Sequence, residues 1–501
     1  MVRLARQKSR INEVNVKRKI WSAAAILTLL CGPSHTGAVG LPDDKVKAAV
    51  DEIFADLASP GSPGCAVAVA RDGKIIYEKG YGLANIEESV AITPQTIFDI
   101  GSTSKQFTAA SILLLEKQGK LSVNDDVRKY IPELPDYGKK ITILNLLNHT
   151  SGLRDYLELM TLAGTNIDSV TDDDDALKII ARQKALNFDP GSEWLYSNSG
   201  FFLLSVIVKR VSGKTLREFA AENIFQPLGM TQTQYRDDHT QLVPNRALAY
   251  DAKDNHGYAL SVSYFEQTGD GAVHTSVEDI LKWDENFYSS QVGGKALLAE
   301  LQENGHLNSG KKLDYAKGLF VHEYRGLPSV DHGGAWGGYR AQLLRFPEQH
   351  FSVACLCNVG NAAPNKRAYR VADVYLSGLM KSKAPEEGGR PLELKTSSAT
   401  LSTDQLRGLD GNYYSQELDV TYKLAVEGTT LKVKEIGGSS AFVKKGLLPS
   451  DSFSGAGNDV FQLLDLPLSL HFQREPDGRI KGFLLDAGRV QGIFFSKTNK
   501  N

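Results

Sequence analysis

Ser102-Thr103-Ser104-Lys105 sets a hydroxyl and an amine three residues apart, on one face of a single helical turn. A neutral amine beside a serine can take the hydroxyl proton and turn a weak nucleophile against an acyl carbon. The same tetrad recurs at Ser309-Gly310-Lys311-Lys312, but in a polar, Gly/Asn-rich stretch that reads as loop. Ser102 instead opens the apolar run Phe107, Ala110, Ile112, Leu113, Leu114 and Leu115, so it is expected at the start of a buried helix. There the free N–H groups and the positive end of the macrodipole favour a developing oxyanion.

Two later groups fit the same chemistry. Tyr196-Ser197-Asn198 follows Pro190-Gly191-Ser192-Glu193-Trp194, between two apolar helical runs. Tyr196 as a phenolate beside Lys105 is the alternative base. A free lysine (pKa about 10.4) and a free phenol (about 10) both need help near neutrality, and the sequence does not assign the proton. Asn198 is placed either to hydrogen-bond a substrate amide or to hold Lys105. His332-Gly333-Gly334-Ala335 precedes a strand, and its glycines allow close backbone approach. The N–H of Ala335 is the candidate second oxyanion donor beside that of Ser102. Read alone, Tyr196-x-Asn198 would be a surface turn and His332 a satisfied structural histidine; the combination favours a site.

Other chemistries lack their signatures. No Gly-x-Ser-x-Gly elbow, His-Glu-x-x-His, Cys-x-x-Cys or Gly-rich phosphate loop occurs, so neither a metal nor a cofactor is expected. Asp172-Asp173-Asp174-Asp175 reads as an acidic helix N-terminus rather than a calcium loop. A net charge of −2 offers no nucleic-acid surface. Residues 1–38 read as an export signal: a basic start, the apolar run Ile20 to Leu30 and a small-residue exit at Thr36-Gly37-Ala38. The long basic region means that translation starts near Val16 or that the run stays as an anchor; Leu30 before Cys31 argues against lipidation. The expected location is periplasmic or extracellular, with membrane attachment only if the segment is retained. Cys65, Cys355 and Cys357 remain, an odd count, and are read as small buried hydrophobes without a disulfide framework.

The elements that must hold these groups follow from the pattern along the 501 residues. Cys65 to Ala70 and Lys74 to Lys79 are strands around the turn Arg71-Asp72-Gly73. Residues 122 to 325 are mostly helical, including Phe201 to Val211 and Asp279 to Phe287. Ala341 to Phe346 and Phe351 to Val359 are strands, and Arg367 to Met380 is a helix. Strands at both ends with helices between imply one sheet built from distant segments. Residues 381–403 have linker composition, and 404–501 carry only short strands, which suggests a small antiparallel barrel.

The ordered triple Ser102-x-x-Lys105, Tyr196-x-Asn198 and His332-x-Gly334 resembles the motifs of the class C β-lactamase and penicillin-binding serine hydrolase family. Leu146-Leu147-Asn148-His149-Thr150-Ser151-Gly152-Leu153, Pro190-Gly191 and Gly269-Asp270-Gly271 join the resemblance, which covers residues 45–380. It implies an α/β (α+β) sandwich, an antiparallel sheet flanked by helices, and an acyl-enzyme at Ser102. Ser102, Lys105 and Tyr196 are then catalytic, with Asn198, His332, Gly334, Ala335 and Arg340 at the substrate. The C-terminal strands resemble the lipocalin-like barrel attached to some of these hydrolases; it is expected to pack over the site rim or mediate oligomerisation rather than bind a lipid or partner. Class C β-lactamases carry lysine where this chain has His332, which is largely neutral unless an acid such as Asp331 raises it. The expected substrates are therefore esters or small D-amino-acid peptides and amides, with weak β-lactamase activity. The alternatives are a D,D-carboxypeptidase or penicillin-binding protein acting on cell-wall peptide, or a low-turnover binding relative. Trp336 and Tyr339 are further candidate substrate contacts, Arg340 a candidate for a substrate carboxylate and His274 a candidate cleft residue. His149 is read as structural.

Overall fold

The computed structural model describes residues 43–254, 257–381, 406, 408–428, 430–438, 452–457, 459–463 and 467–498, which fall in one compact unit, Leu41–Asn501. The expected export signal, Cys31 and the expected linker beyond Lys381 lie outside the described residues.

The Asp72-Gly73 turn has positive φ at both residues, the geometry that matches the twist of a two-residue hairpin, and it joins the strands Cys65–Arg71 and Lys74–Tyr81. These two are an edge of a seven-stranded antiparallel sheet. Its order across the sheet is Tyr315–Ala316, Leu319–Tyr324, Leu327–Trp336, Tyr339–Phe346, Phe351–Cys357, Cys65–Arg71 and Lys74–Tyr81. The strands that come first and last in sequence, Cys65–Arg71 and Phe351–Cys357, thus pair side by side, as the distribution of strands implies.

Alternation along the strand divides two cores. Val67 and Val69 pack with Phe54, Val371 and Leu376 from the helices and turns of one face. Ala66 and Ala68 pack on the other face, with Phe107, Ile112 and the larger helical layer. That layer contains the helices Lys105–Lys117, Tyr156–Leu162, Asn198–Ser212 and Val277–Ser289. The acidic run caps its helix as expected: Asp172 accepts from the N–H of Asp175, and the Asp175 side chain accepts in return from Asp172.

Two sequence expectations shift. Ser102 lies in a 3₁₀ turn, Gly101–Ser104, that leads into the helix rather than in the helix itself. His332-Gly333-Gly334 lies inside the strand Leu327–Trp336, not before one. The two segments lie against each other. The strand backbone runs against Ile100 and Gly101, so closely that a Cβ on Gly334 would lie 1.8 Å from the Ile100 carbonyl oxygen.

The cysteine reading is corrected. Cys65 and Cys357 form a disulfide, with Cα atoms 4.0 Å apart. They are direct partners in the register of two adjacent antiparallel strands, a relation that 292 residues of separation hide. Cys355 is a buried free thiol whose pKa burial pushes up to about 12.

The C-terminal strands close into an eight-stranded antiparallel barrel, with Gly411–Ser415 paired to Val490–Thr498. Tyr413 contacts Phe472 and Phe483 from strands across the barrel, and Phe461 and Phe495 extend that aromatic cluster. Side chains thus fill the interior that these strands enclose. The barrel docks on the helical layer through buried polar contacts. Arg154 reaches Glu417 at 2.6 Å and donates from Nε to the Gln491 carbonyl, while the Tyr422 hydroxyl donates to the Leu162 carbonyl.

Candidate active site

Lys105 begins its helix fully buried, and its Nζ has three oxygen partners. It lies 3.0 Å from Ser102 Oγ, 2.9 Å from Asn198 Oδ1 and 2.6 Å from the Asp270 carbonyl oxygen. None of the three is a carboxylate, so burial of the charged form is not offset by a direct ion pair. Burial accordingly drives the lysine well below its usual range. The Arg489 cation adds to the fall, while the Asp270 and Asp155 carboxylates oppose it. The Asp270 carboxyl is itself pushed up by burial and accepts a hydrogen bond from the Tyr156 hydroxyl.

Tyr196 lies under the same amine, with Lys105 Nζ 4.9 Å from its ring centroid. Its hydroxyl is buried and lacks a well-aligned hydrogen-bond partner among the described residues. Burial raises its pKa above that of a free phenol, although Ser102 and Arg489 pull the other way. The His149 ring packs against that of Tyr196, tilted by 35° with centroids 4.2 Å apart, and its Nδ1 accepts from the Ser197 N–H, which fixes the loop carrying Tyr196. His149 is kept neutral by burial and by the cations around it.

Asn198 opens its helix, and its N–H donates to Asp155 Oδ2 at 2.6 Å. Asp155 caps the helix Tyr156–Leu162 through its other oxygen, which accepts from the N–H groups of Leu157 and Glu158. Facing Ser102, the hairpin end at Gly334 and Ala335 comes so near that a Cβ on Gly101 would lie 2.7 Å from the Ala335 nitrogen. Gly101 has φ +47°, a conformation that suits glycine, and the backbone of Ala335 lies beside the turn that carries Ser102.

Ser102, Tyr196, Asn198 and Ala335 line one cavity of about 480 Å³. Trp336, Tyr339 and His274 also line it. His332 and Arg340 do not; they line a second, more open groove, which also reaches Ser102, Tyr196, Gly334 and Ala335. His332 is buried, its Nε2 is 3.3 Å from the Tyr315 hydroxyl, and burial takes it down to about 3. Asp331 does not raise it: strand alternation turns that carboxylate to the opposite face, where it accepts from Gln342 and Tyr369. Arg340 donates to the carbonyls of Gly337 and Tyr339.

The Beta-lactamase family model matches residues 46–376, well over half of the chain. The chain belongs to the Beta-lactamase family. It is 29% identical over 317 residues to Penicillin-binding protein 4* of Bacillus subtilis (strain 168), covering 58% of this chain and 67% of that protein. It is also 29% identical over 320 residues to a D-aminopeptidase of Brucella anthropi, covering 63% of this chain but only 59% of the relative. In fold it is similar to the octameric penicillin-binding protein homologue from Pyrococcus abyssi. That likeness has a TM-score of 0.60 and 22% identity, and covers 90% of this chain and 99% of the other. Family membership supports a serine-hydrolase type of activity.

Several groups in this Beta-lactamase family site were not assigned from the sequence. Asp155 carries a detectable signal, an acidic residue directly before a helical apolar run. Asp270 was visible only as part of a family stretch. Arg489 had no signal at all: it comes from the barrel hairpin after Ala487, yet it lines the cavity and lies 5.9 Å from the Tyr196 ring centroid.

Proposed function

We propose that this protein is an exported serine hydrolase that forms an acyl-enzyme at Ser102 on small amides, D-amino-acid derivatives or esters. The observation that carries this reading is the buried Lys105 amine 3.0 Å from Ser102 Oγ, with no carboxylate bonded to it. Burial favours its neutral form, which accepts the Ser102 proton as Oγ attacks the substrate carbonyl. The N–H groups of Ser102 and Ala335 take the oxyanion. Tyr196, held protonated by burial, gives its proton to the leaving group and recovers one from Lys105. The leaving group departs protonated, and both side chains return to neutral. Water then attacks the acyl-enzyme; its proton passes through Lys105 to Ser102 Oγ, and the free acid leaves. Asn198 holds Lys105 and stands at the cavity wall for a substrate amide, while His332 and Gly334 back the strand that carries Ala335.

The D-aminopeptidase similarity supports the amide side of this range, and neutral His332 in place of a lysine supports weak action on β-lactams. The similarity to Penicillin-binding protein 4* favours a second reading, a peptidase of cell-wall peptides. The Cys65–Cys357 disulfide supports an oxidising, extracytoplasmic compartment. Among the described residues no helix is long and apolar enough to cross a membrane. Labelling with a fluorescent acyl-phosphonate, followed by a panel of D-aminoacyl amides, p-nitrophenyl esters, D-Ala-D-Ala peptides and nitrocefin, tests the proposal. Labelling lost in Ser102→Ala and turnover of amides or esters above nitrocefin are expected; an unlabelled native protein overturns it.

A further inference from the structure

The cavity beside Ser102 holds more positive charge than its own residues neutralise. Arg236, Arg246 and Arg489 all line it. Arg489 is matched by Asp155 and Glu158. Asp99 is the buried acid that faces both Arg236 and Arg246, while the exposed Asp238 also acts on Arg236 and accepts from the Thr240 N–H and hydroxyl; no ion pair joins either guanidinium to a carboxylate among the described residues. Asp99 already accepts the Gly101 N–H at 2.8 Å, and burial raises it to about 6. The other acids nearby are taken: Glu266 by His239 at 2.6 Å, and Asp270 by Tyr156.

The backbone fixes both arginines. The Arg236 N–H donates to the Ala272 carbonyl at 2.9 Å, beside the Gly271 that faces Gly101. Arg246 is paired with Ile97, two residues before Asp99, and the Ala247 N–H donates back to Ile97. His274, 3% exposed, completes this wall but stays neutral, pushed by burial to about 3. Arg236 directs one nitrogen to the His239 carbonyl, while its Nε is buried without a partner. Burial, and after it the charge of Arg246, depress the Arg236 pKa. Planar guanidinium donors match a carboxylate, and a pair of them short of anions in a half-enclosed cavity is the arrangement that an incoming carboxylate stabilises.

We propose that Arg236 and Arg246 form an anion subsite next to Ser102, so that the preferred substrates of the proposed hydrolase carry a free carboxylate. This rests on Ser102 being the reacting centre, but the binding can be measured without turnover. The full-length Ser102→Ala protein is titrated calorimetrically with N-acetyl-alanine and, separately, with N-acetyl-alanine amide. The anion is expected to bind about tenfold or more tightly than the amide, since hydrogen bonds to a charged group discriminate by at least that much. Arg236→Gln and Arg246→Gln should each cut that ratio by about tenfold, and Arg246→Lys should keep part of it. Circular dichroism checks that each variant is folded, and Arg246→Gln carries the test if Arg236→Gln is not. Equal affinity for the two ligands, heat from neither, or a ratio that survives Arg246→Gln overturns the subsite. The phosphonate labelling of native protein reports separately on the serine hydrolase reading.

Discussion

Arg489 Nη1 lies 3.3 Å from Asp155 Oδ2, the same oxygen that accepts the Asn198 N–H at 2.6 Å. A barrel residue is thereby connected through Asp155 and Asn198 to the amine of Lys105. The contact is reinforced by Glu158, which accepts from both the backbone N–H and Nε of Arg489. The barrel is thus an electrostatic part of the site, and not only a cover for its rim.

Removing that cation should change how activity depends on pH. Arg489 lowers the Lys105 pKa, so Arg489→Gln lets it rise. A raised Lys105 pKa leaves less neutral amine at a given pH, so the acidic limb of kcat/KM should move to higher pH. The rate at neutral pH should fall by roughly tenfold, with recovery as pH rises, because lost base rather than lost fold is the cause. A uniform loss at all pH values would show a structural role alone.

Lys105 itself gives a sharper test. Arginine retains the charge but does not deprotonate in the accessible range, so it can occupy the position and cannot act as base. Lys105→Arg should therefore lower kcat by about 10²-fold or more while phosphonate labelling slows in parallel. In the native enzyme, activity should rise with pH from the acid side as the depressed lysine loses its proton. Retention of normal kcat in Lys105→Arg would move the base assignment to Tyr196.

Gly334 is where geometry and chemistry meet most tightly. Its absent Cβ would fall 1.8 Å from the Ile100 carbonyl oxygen and 3.0 Å from Thr103 Oγ1. Both contacts involve the turn that carries Ser102, and the Ile100 contact is backbone that a rotamer cannot relieve. Gly334→Ala should push Ala335 away from Ser102 and reduce kcat by about 10²-fold, the scale of a lost oxyanion donor, with a smaller effect on KM. Steady-state kinetics and labelling rates of the variant check this.

What could be read from the sequence followed its range. Ser102 and Lys105 are three residues apart, and the hairpin around Asp72-Gly73 is local too, so both were legible. The sheet and barrel emerged from alternation and turn spacing. Tyr196 and His332 needed recognition as a set, since neither is informative alone. Arg489 pairs with Glu158 across 331 residues, and Arg236 and Arg246 reach the same cavity only because their backbones pair with Ala272 and Ile97. Charges of that kind leave no periodic trace. The start of the Ser102 turn was misjudged because close packing against Gly334, not helix propensity, sets its conformation.

The disulfide belongs to the same class of long-range relation, and its consequences are measurable. Cys65–Cys357 ties the first sheet strand to the last across 292 residues. Cross-linking so distant a pair restricts the unfolded chain strongly, and loss of a native bond of this kind typically costs about 2–5 kcal/mol. Cys65→Ser/Cys357→Ser, or reduction under conditions that open the bond, should lower the Tm. Activity at low temperature should largely survive, because neither sulfur lines the cavity with Ser102. Cys355 should not react with a thiol reagent until the protein unfolds, since it is fully buried and its thiol is held protonated. Thermal melts with and without reductant, together with thiol counts in native and denatured protein, decide the matter: two reactive thiols more after reduction and denaturation than after denaturation alone is the expected result, and an unchanged count would remove the disulfide.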